Sequence, residues 1–189
     1  MKKFLTAAAL MSVATLSQAE PASYAIDPSH TFVTYEIAHF ATSTNRGRFD
    51  KKEGSVTIDR AAKTGKIDIT FDMAAVNTGV AAMDRHLRSD DFFGTDKFPT
   101  ARFVGDKLGF NGDKLSEVSG LLTLKDKTMP VTLKAIRFNC YQNPLLKREV
   151  CGGDFEATIL RSQYGISYGL NSGFPDAVQL LIQVEAVRQ

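Results

Sequence analysis

The chain has 189 residues, with 23 basic against 21 acidic side chains, 43% apolar residues and two cysteines. That length suits one domain with a real core. Lys2 and Lys3 account for the whole formal charge of +2, so beyond them the chain is neutral, which excludes a basic field for nucleic acid or anionic lipid.

Lys2-Lys3, the apolar run Phe4 to Leu16 and the small-residue exit Ser17-Gln18-Ala19 read as a secretory signal peptide over 1–19, cleaved after Ala19. The mature domain is then 20–189, and no later stretch is long and apolar enough for a membrane helix. Such a leader implies an oxidising compartment, where Cys140 and Cys151 are expected to form a disulfide closing the Tyr141–Val150 loop.

From Thr31, the residues Val33, Tyr35, Ile37 and His39 alternate with Phe32, Thr34, Glu36 and Ala38, the period of a strand with two faces. Ser43 to Asp50 is polar except at its end, where Arg46-Gly47-Arg48-Phe49 is expected to bend back into the sheet. Val56 and Ile58, then Ile67, Ile69, Phe71 and Met73, form a hairpin across Ala62-Lys63-Thr64-Gly65.

The stretch from Val80 to Phe93 breaks the alternation. Val80, Met83 and Leu87 recur at helical spacing, Asn77 and Thr78 are N-cap candidates, and Ser89 or Asp90 opens a second turn carrying Phe92 and Phe93. A helix this short needs a surface to rest on. Alternation then resumes through Ala101 and Phe103, through Val118, Gly120, Leu122 and Leu124, through Val131 and Leu133, through Phe155, Ala157 and Ile159, and through Val178, Leu180, Ile182 and Val184. About eight strands with one helical insertion predict an all-β fold, and the richly apolar face of each strand favours an eight-stranded antiparallel barrel over a sandwich. Gly120 and Ala157 on the inner face leave room inside it.

Catalytic signatures are thin. The three histidines, His30, His39 and His86, show no HxH or HxxxH spacing for a metal. Nothing resembles HExxH or a phosphate-cradling glycine loop. The readings are therefore no catalytic residues, no metal and no catalytic cofactor. The alternatives are an enzyme acting on an apolar substrate through His39 or Asp84–His86, and a structural domain with a filled core.

The ordered set Asp27-Pro28-Ser29-His30-Thr31, His39, Gly47-Arg48-Phe49, Asn77-Thr78-Gly79, Asp84 to Phe93, Phe98-Pro99, Gly120 to Leu124, Thr128 to Leu133 and Arg161-Ser162-Gln163-Tyr164-Gly165 resembles the YceI family of periplasmic, lipocalin-like polyisoprenoid-binding proteins. The resemblance spans the mature chain. It departs at Asp126, where a glycine is usual, and in the Cys140–Cys151 pair. It implies a periplasmic lipocalin-like barrel whose elongated apolar cavity binds, carries or stores a long isoprenoid such as the quinone ubiquinone-8. Inner-face parity gives the cavity candidates Val33, Tyr35, Ile37, His39, Phe49, Ile69, Phe71, Phe103, Leu122, Leu124, Phe155, Ile159 and Ile182. Met83, Leu87, Phe92 and Phe93 join them from the lid. The expected partner is an isoprenoid lipid or quinone, and an exposed aromatic edge leaves room for a homodimer.

Overall fold

A computed structural model describes residues 21–112 and 114–189; the leader assigned to 1–19 lies outside them. The strands are β1 (Ala22–Ile26), β2 (Phe32–His39), β3 (Ser43–Phe49), β4 (Lys52–Asp59), β5 (Thr64–Asp72) and the short β6 (Val76–Asn77). Helix α1 (Ala81–Arg88) follows, then β7 (Thr100–Asn111), β8 (Lys114–Leu124), β9 (Lys127–Asn143), β10 (Arg148–Leu160) and β11 (Ala177–Arg188). All pairings are antiparallel. β4, β5, β7, β8, β9, β10 and β11 neighbour one another in sequence order, and β1 pairs with both β11 and β4. β2–β3 and β3–β6 extend the same ladder, so β1 with β2, β3 with β4 and β5 with β6 are bent halves of single staves. The result is a closed eight-stranded up-and-down barrel. Closure matters physically because it pairs both edges of the long strands, leaving only the short β6 with a single neighbour among the described strands.

The bend between β1 and β2 is stitched down. Thr31, 1% exposed, donates its hydroxyl to the Glu185 carbonyl at 3.1 Å and accepts the Glu185 amide at 3.2 Å. Outside the bend, Asp27 accepts from the Ser29 amide and hydroxyl at 2.8 and 2.5 Å and lies 2.8 Å from His30 Nδ1. The Ser29 hydroxyl, then His30, draw the Asp27 carboxyl down to about 2, and the Asp27 hydrogen bond raises His30 above its ordinary value. The stability from a depressed carboxyl is present above its unfolded value and is lost as pH falls through the folded one. The stability from a raised histidine is present below its unfolded value and is lost as pH rises through the folded one. Asp27→Asn therefore lowers Tm most between about pH 4 and 6.5. The gap to the parent closes toward pH 2 and narrows on the alkaline side, where the His30 share is lost but the Ser29 bonds to the carboxylate remain. Paired thermal melts from pH 2 to 9 check it.

Three expectations are corrected. The first stave begins at Ala22, so a strand starts directly after the leader assignment. Ser43–Phe49 is a full strand, because its backbone pairs along β2 from His39↔Ser43 to Val33↔Phe49 even though its side chains are mostly exposed. The Tyr141–Val150 segment is mostly ladder, since β9 and β10 pair out to Asn143↔Arg148. Cys140 and Cys151 face each other in that ladder with Cα atoms 4.1 Å apart and are disulfide-bonded. By loop entropy such a bond contributes ~3 kcal/mol. A Glu149 carboxylate oxygen lies within 4.8 Å of both sulfurs, but a disulfide has no thiolate to offer a metal. The Glu149 carboxylate instead accepts from the Tyr24 hydroxyl at 2.5 Å and from Arg60 at 2.7 Å. Burial pushes Glu149 up, but those two bonds outweigh it and leave the carboxyl below its ordinary value.

The β8–β9 turn explains the departure at Asp126. Lys125 and Asp126 have φ of 49° and 59°, the left-handed pair of a two-residue hairpin turn that suits glycine best. Gly120 is a different case from the one expected. It stands opposite Gly105 at a register shift between β7 and β8, and a Cβ there would collide with the Val104 carbonyl oxygen. It is glycine because two backbones meet, not because a cavity needs space.

Candidate ligand-binding cavity

The barrel interior is not filled, which sets aside the filled-core alternative. One chamber has a cavity volume of about 170 Å³ and a second about 80 Å³. Val33, Ile69, Phe71, Phe103, Leu133 and Ile182 line both, so the two chambers adjoin at that level of the barrel. The first lies at the end carrying α1 and the segment between β10 and β11. The second runs toward Tyr24, Phe138 and Cys151 at the opposite end. This follows from the sequence: each stave is apolar on its inner face with period two, and the facing walls bring those faces together.

The lidded end is built from two segments. Helix α1 takes Val80 as its N-cap with no side-chain bond, contrary to the expected Asn77 or Thr78. Asp84 does the fixing from inside the helix, accepting the Thr78 amide at 2.8 Å and its hydroxyl at 2.6 Å. Those bonds hold the Asp84 carboxyl below its ordinary value. His86 Nε2 lies 3.1 Å from Asp91, and its ring packs edge-on against Phe92 and Tyr168, with centroids 4.9 Å away in each case. Tyr168 belongs to the β10–β11 segment, so this aromatic group joins the two parts of the lid. Lys125 ties the β8–β9 turn in, donating to the Phe92 carbonyl at 2.6 Å. Asp84 and His86 thus face different partners, and both act as fasteners.

Most sequence-predicted positions do line the first chamber: Val33, Tyr35, Ile37, Phe49, Ile69, Phe71, Leu87, Phe92, Phe93, Phe103, Leu122, Leu124, Ile159 and Ile182. Tyr35 lies across Gly47, where a Cβ would come within 2.5 Å of its hydroxyl oxygen. Burial pushes the Tyr35 phenol up to about 12, so it stays protonated.

Three positions differ. Met83 is exposed at 37% because only the last turn of α1, through Leu87, reaches the barrel. His39 keeps its inward parity but sits past the rim, packed with Phe40 and Phe174 at 4.9 and 5.4 Å. Phe155 lines the second chamber rather than the first. Additional wall residues are Met73, Ala101, Val131, Leu133, Arg161, Ile166, Val178 and Leu180. The same parity that selected Ile182 and Phe71 points to Val178, Leu180 and Met73.

Arg161 is the unexpected member. It continues the inward series Phe155, Ala157, Ile159, and is 5% exposed. Its Nε donates to the Pro175 carbonyl at 2.9 Å, and Nη1 donates to the carbonyls of Tyr168 at 2.7 Å and Ile166 at 3.4 Å. Nη2 is buried without a hydrogen-bond partner, as is the Tyr164 hydroxyl in the same turn. Burial draws the guanidinium below its ordinary value and Asp176 pulls it back. Arg161 is the one charged residue in a wall otherwise made of hydrocarbon, aromatic and thioether groups.

Comparison with known proteins places these features. The YceI-like domain family model matches residues 24–186. A UPF0312 protein of Pseudomonas aeruginosa is 36% identical over 193 aligned residues, covering 100% of both chains. The protein YceI of Salmonella newport is 34% identical with the same coverage. Among solved structures, the YceI protein of Campylobacter jejuni superposes with a TM-score of 0.67 at 25% identity, covering 81% of this chain and 90% of its own. A polyisoprenoid binding domain from Saccharophagus degradans, implicated in plant cell wall breakdown, shares the fold with a TM-score of 0.64 at 16% identity, covering 88% and 98%.

Proposed function

The chain belongs to the YceI-like domain family, and we propose that it is a periplasmic carrier or store of a long isoprenoid lipid. An isoprenoid quinone such as ubiquinone-8 is the ligand this reading favours. The observation that carries it is the pair of adjoining, apolar-walled chambers inside the barrel. An isoprenoid tail is nearly insoluble, and each buried methylene contributes ~0.8 kcal/mol. A barrel that encloses the tail removes its exposure to water during passage between membranes. The isoprenoid binding of the Saccharophagus degradans domain supports the same ligand class on the same fold.

On this reading the protein binds its lipid and does not turn it over. Asp84 and His86 are engaged with Thr78 and Asp91 and hold the lid. Among the described residues no helix is long and apolar enough to cross a membrane. The test is native mass spectrometry of protein taken from the periplasmic fraction, followed by organic extraction. The expected result is a chain beginning at Glu20 with one prenyl lipid bound. Repeated preparations that carry no lipid, and take up none from vesicles containing an isoprenoid quinone, overturn the reading.

A further inference from the structure

We propose that Arg161 anchors the oxygen-bearing head group of the bound lipid and thereby sets its direction in the barrel, head beneath the lid and tail toward the disulfide end. The inference rests on the lipid-carrier reading and adds to it a residue, a polarity and a head-group class.

An arginine offers five N–H donors. Three of them are spent on the carbonyls of Pro175, Tyr168 and Ile166, which leaves the two on Nη2. A buried donor left unsatisfied costs about 1–3 kcal/mol, and a buried cation is costlier still unless it is paired. Asp176, the carboxylate that acts on Arg161, is itself committed to the Ser162 amide and hydroxyl at 2.8 and 2.6 Å. Nη2 is sealed from solvent and Arg161 stands in the cavity wall, so a head group that pairs with it has to come from the cavity side and part the side chains over Nη2.

The number of free donors selects the chemistry. A phosphate or diphosphate presents many acceptor lone pairs and needs a cluster of cations and amides. The wall supplies one nitrogen and the neutral Tyr35 phenol. A carbonyl oxygen of a ring fits one N–H of Nη2, and a neighbouring ring oxygen fits the other. The head group is therefore a neutral carbonyl of the quinone type. The polarity follows from place. Arg161 directly follows the end of β10 at the lidded end, and past the shared residues the cavity is lined mostly by apolar groups such as Phe155, Val56 and Val184.

The experiment compares a prenyl quinone, a hydrocarbon with the same prenyl tail and a prenyl monophosphate, each titrated against the whole mature protein and against Arg161→Met. The parent is expected to bind the quinone at least tenfold more tightly than the hydrocarbon. Arg161→Met is expected to bind both alike, at the parent's hydrocarbon affinity. A merely structural Arg161, bracing the segment before β11, lowers both affinities together and overturns the proposal. Because Arg161→Met removes bonds that the segment uses, a second measurement stands on the parent alone. Isotope-edited infrared spectra of carbonyl-labelled quinone should show one carbonyl stretch moved to lower frequency on binding, and two unmoved carbonyls overturn the proposal. Prenyl monophosphate binding more tightly than the quinone overturns the neutral head group. If the parent binds none of the three, the carrier reading has failed; if it binds quinone and hydrocarbon equally, only the anchor has.

Discussion

Gly120→Ala should lose ~3 kcal/mol or more of folding stability, the upper range of what an overpacked interior site costs. The added Cβ would meet the Val104 carbonyl oxygen, and it would lie 2.6 Å from Gly105 Cα and 2.8 Å from the Val104 carbonyl carbon. All three are backbone atoms of the neighbouring strand, so no side chain can swing aside. Relief requires β7 and β8 to separate at the point where their register already shifts between Gly105 and Lys107. In a closed barrel that separation cannot be absorbed at an edge, and the strain passes to the next stave. Gly109→Ala on β7 is the internal control. Its Cβ also falls at 2.5 Å, but against Glu117 Cγ, the flexible end of an exposed residue that can rotate away. Its cost should stay near the ~0.5 kcal/mol of an ordinary surface change. Urea denaturation of the two variants and the parent checks the contrast. Equal midpoints for Gly120→Ala and Gly109→Ala would show that the β7–β8 approach is not tight.

The parts of the fold that were legible are those where burial is one-sided. β2, β8 and β11 carry apolar residues at every second position because one face sees the cavity and the other sees solvent. Parity alone therefore placed Tyr35, Leu122 and Ile182 on the wall. β3 was harder because its inner face is nearly as polar as its outer one. It is held by main-chain pairing to β2, and only Gly47 and Phe49 at its end are buried. Ala22–Ile26 was hidden by its place beside the leader, with only Tyr24 and Ile26 fully buried.

Periodicity also fixes direction but not height. His39 and Val33 share a face, yet one lies beyond the rim and the other at the junction of the chambers. Met83 and Leu87 share a helix face, yet only the later turn reaches the barrel. Arg161 was missed for the opposite reason. Its parity is inward, but a charge at the end of an apolar series reads as the strand leaving the core. Its burial depends on three carbonyls brought in by the Ile166–Pro175 segment, which no local pattern announces.

Ile182→Trp should convert the cavity from one that measures chain length into one that does not. Ile182 stands between Val33 on β2 and Phe155 on β10, at the level lined in common by both chambers. A larger side chain in a close-packed core costs about 1–3 kcal/mol. Here the indole enters space that holds no atoms, so the fold should bear it at the low end of that range. The ligand loses more. Each methylene kept out of the second chamber forgoes ~0.8 kcal/mol, so excluding four of them weakens binding on the order of 100-fold. The parent should bind isoprenoid quinones ever more tightly as prenyl units are added, until the second chamber is full. The variant should match the parent for the shortest tails and then stop improving. Head-group discrimination should survive in the variant, since Arg161 lies on the lid side of the block. Titrations with quinones of increasing tail length, on both proteins, read this directly. A variant that tracks the parent through the longest tail would mean that the lipid never passes Ile182 and that the second chamber is not part of the binding site.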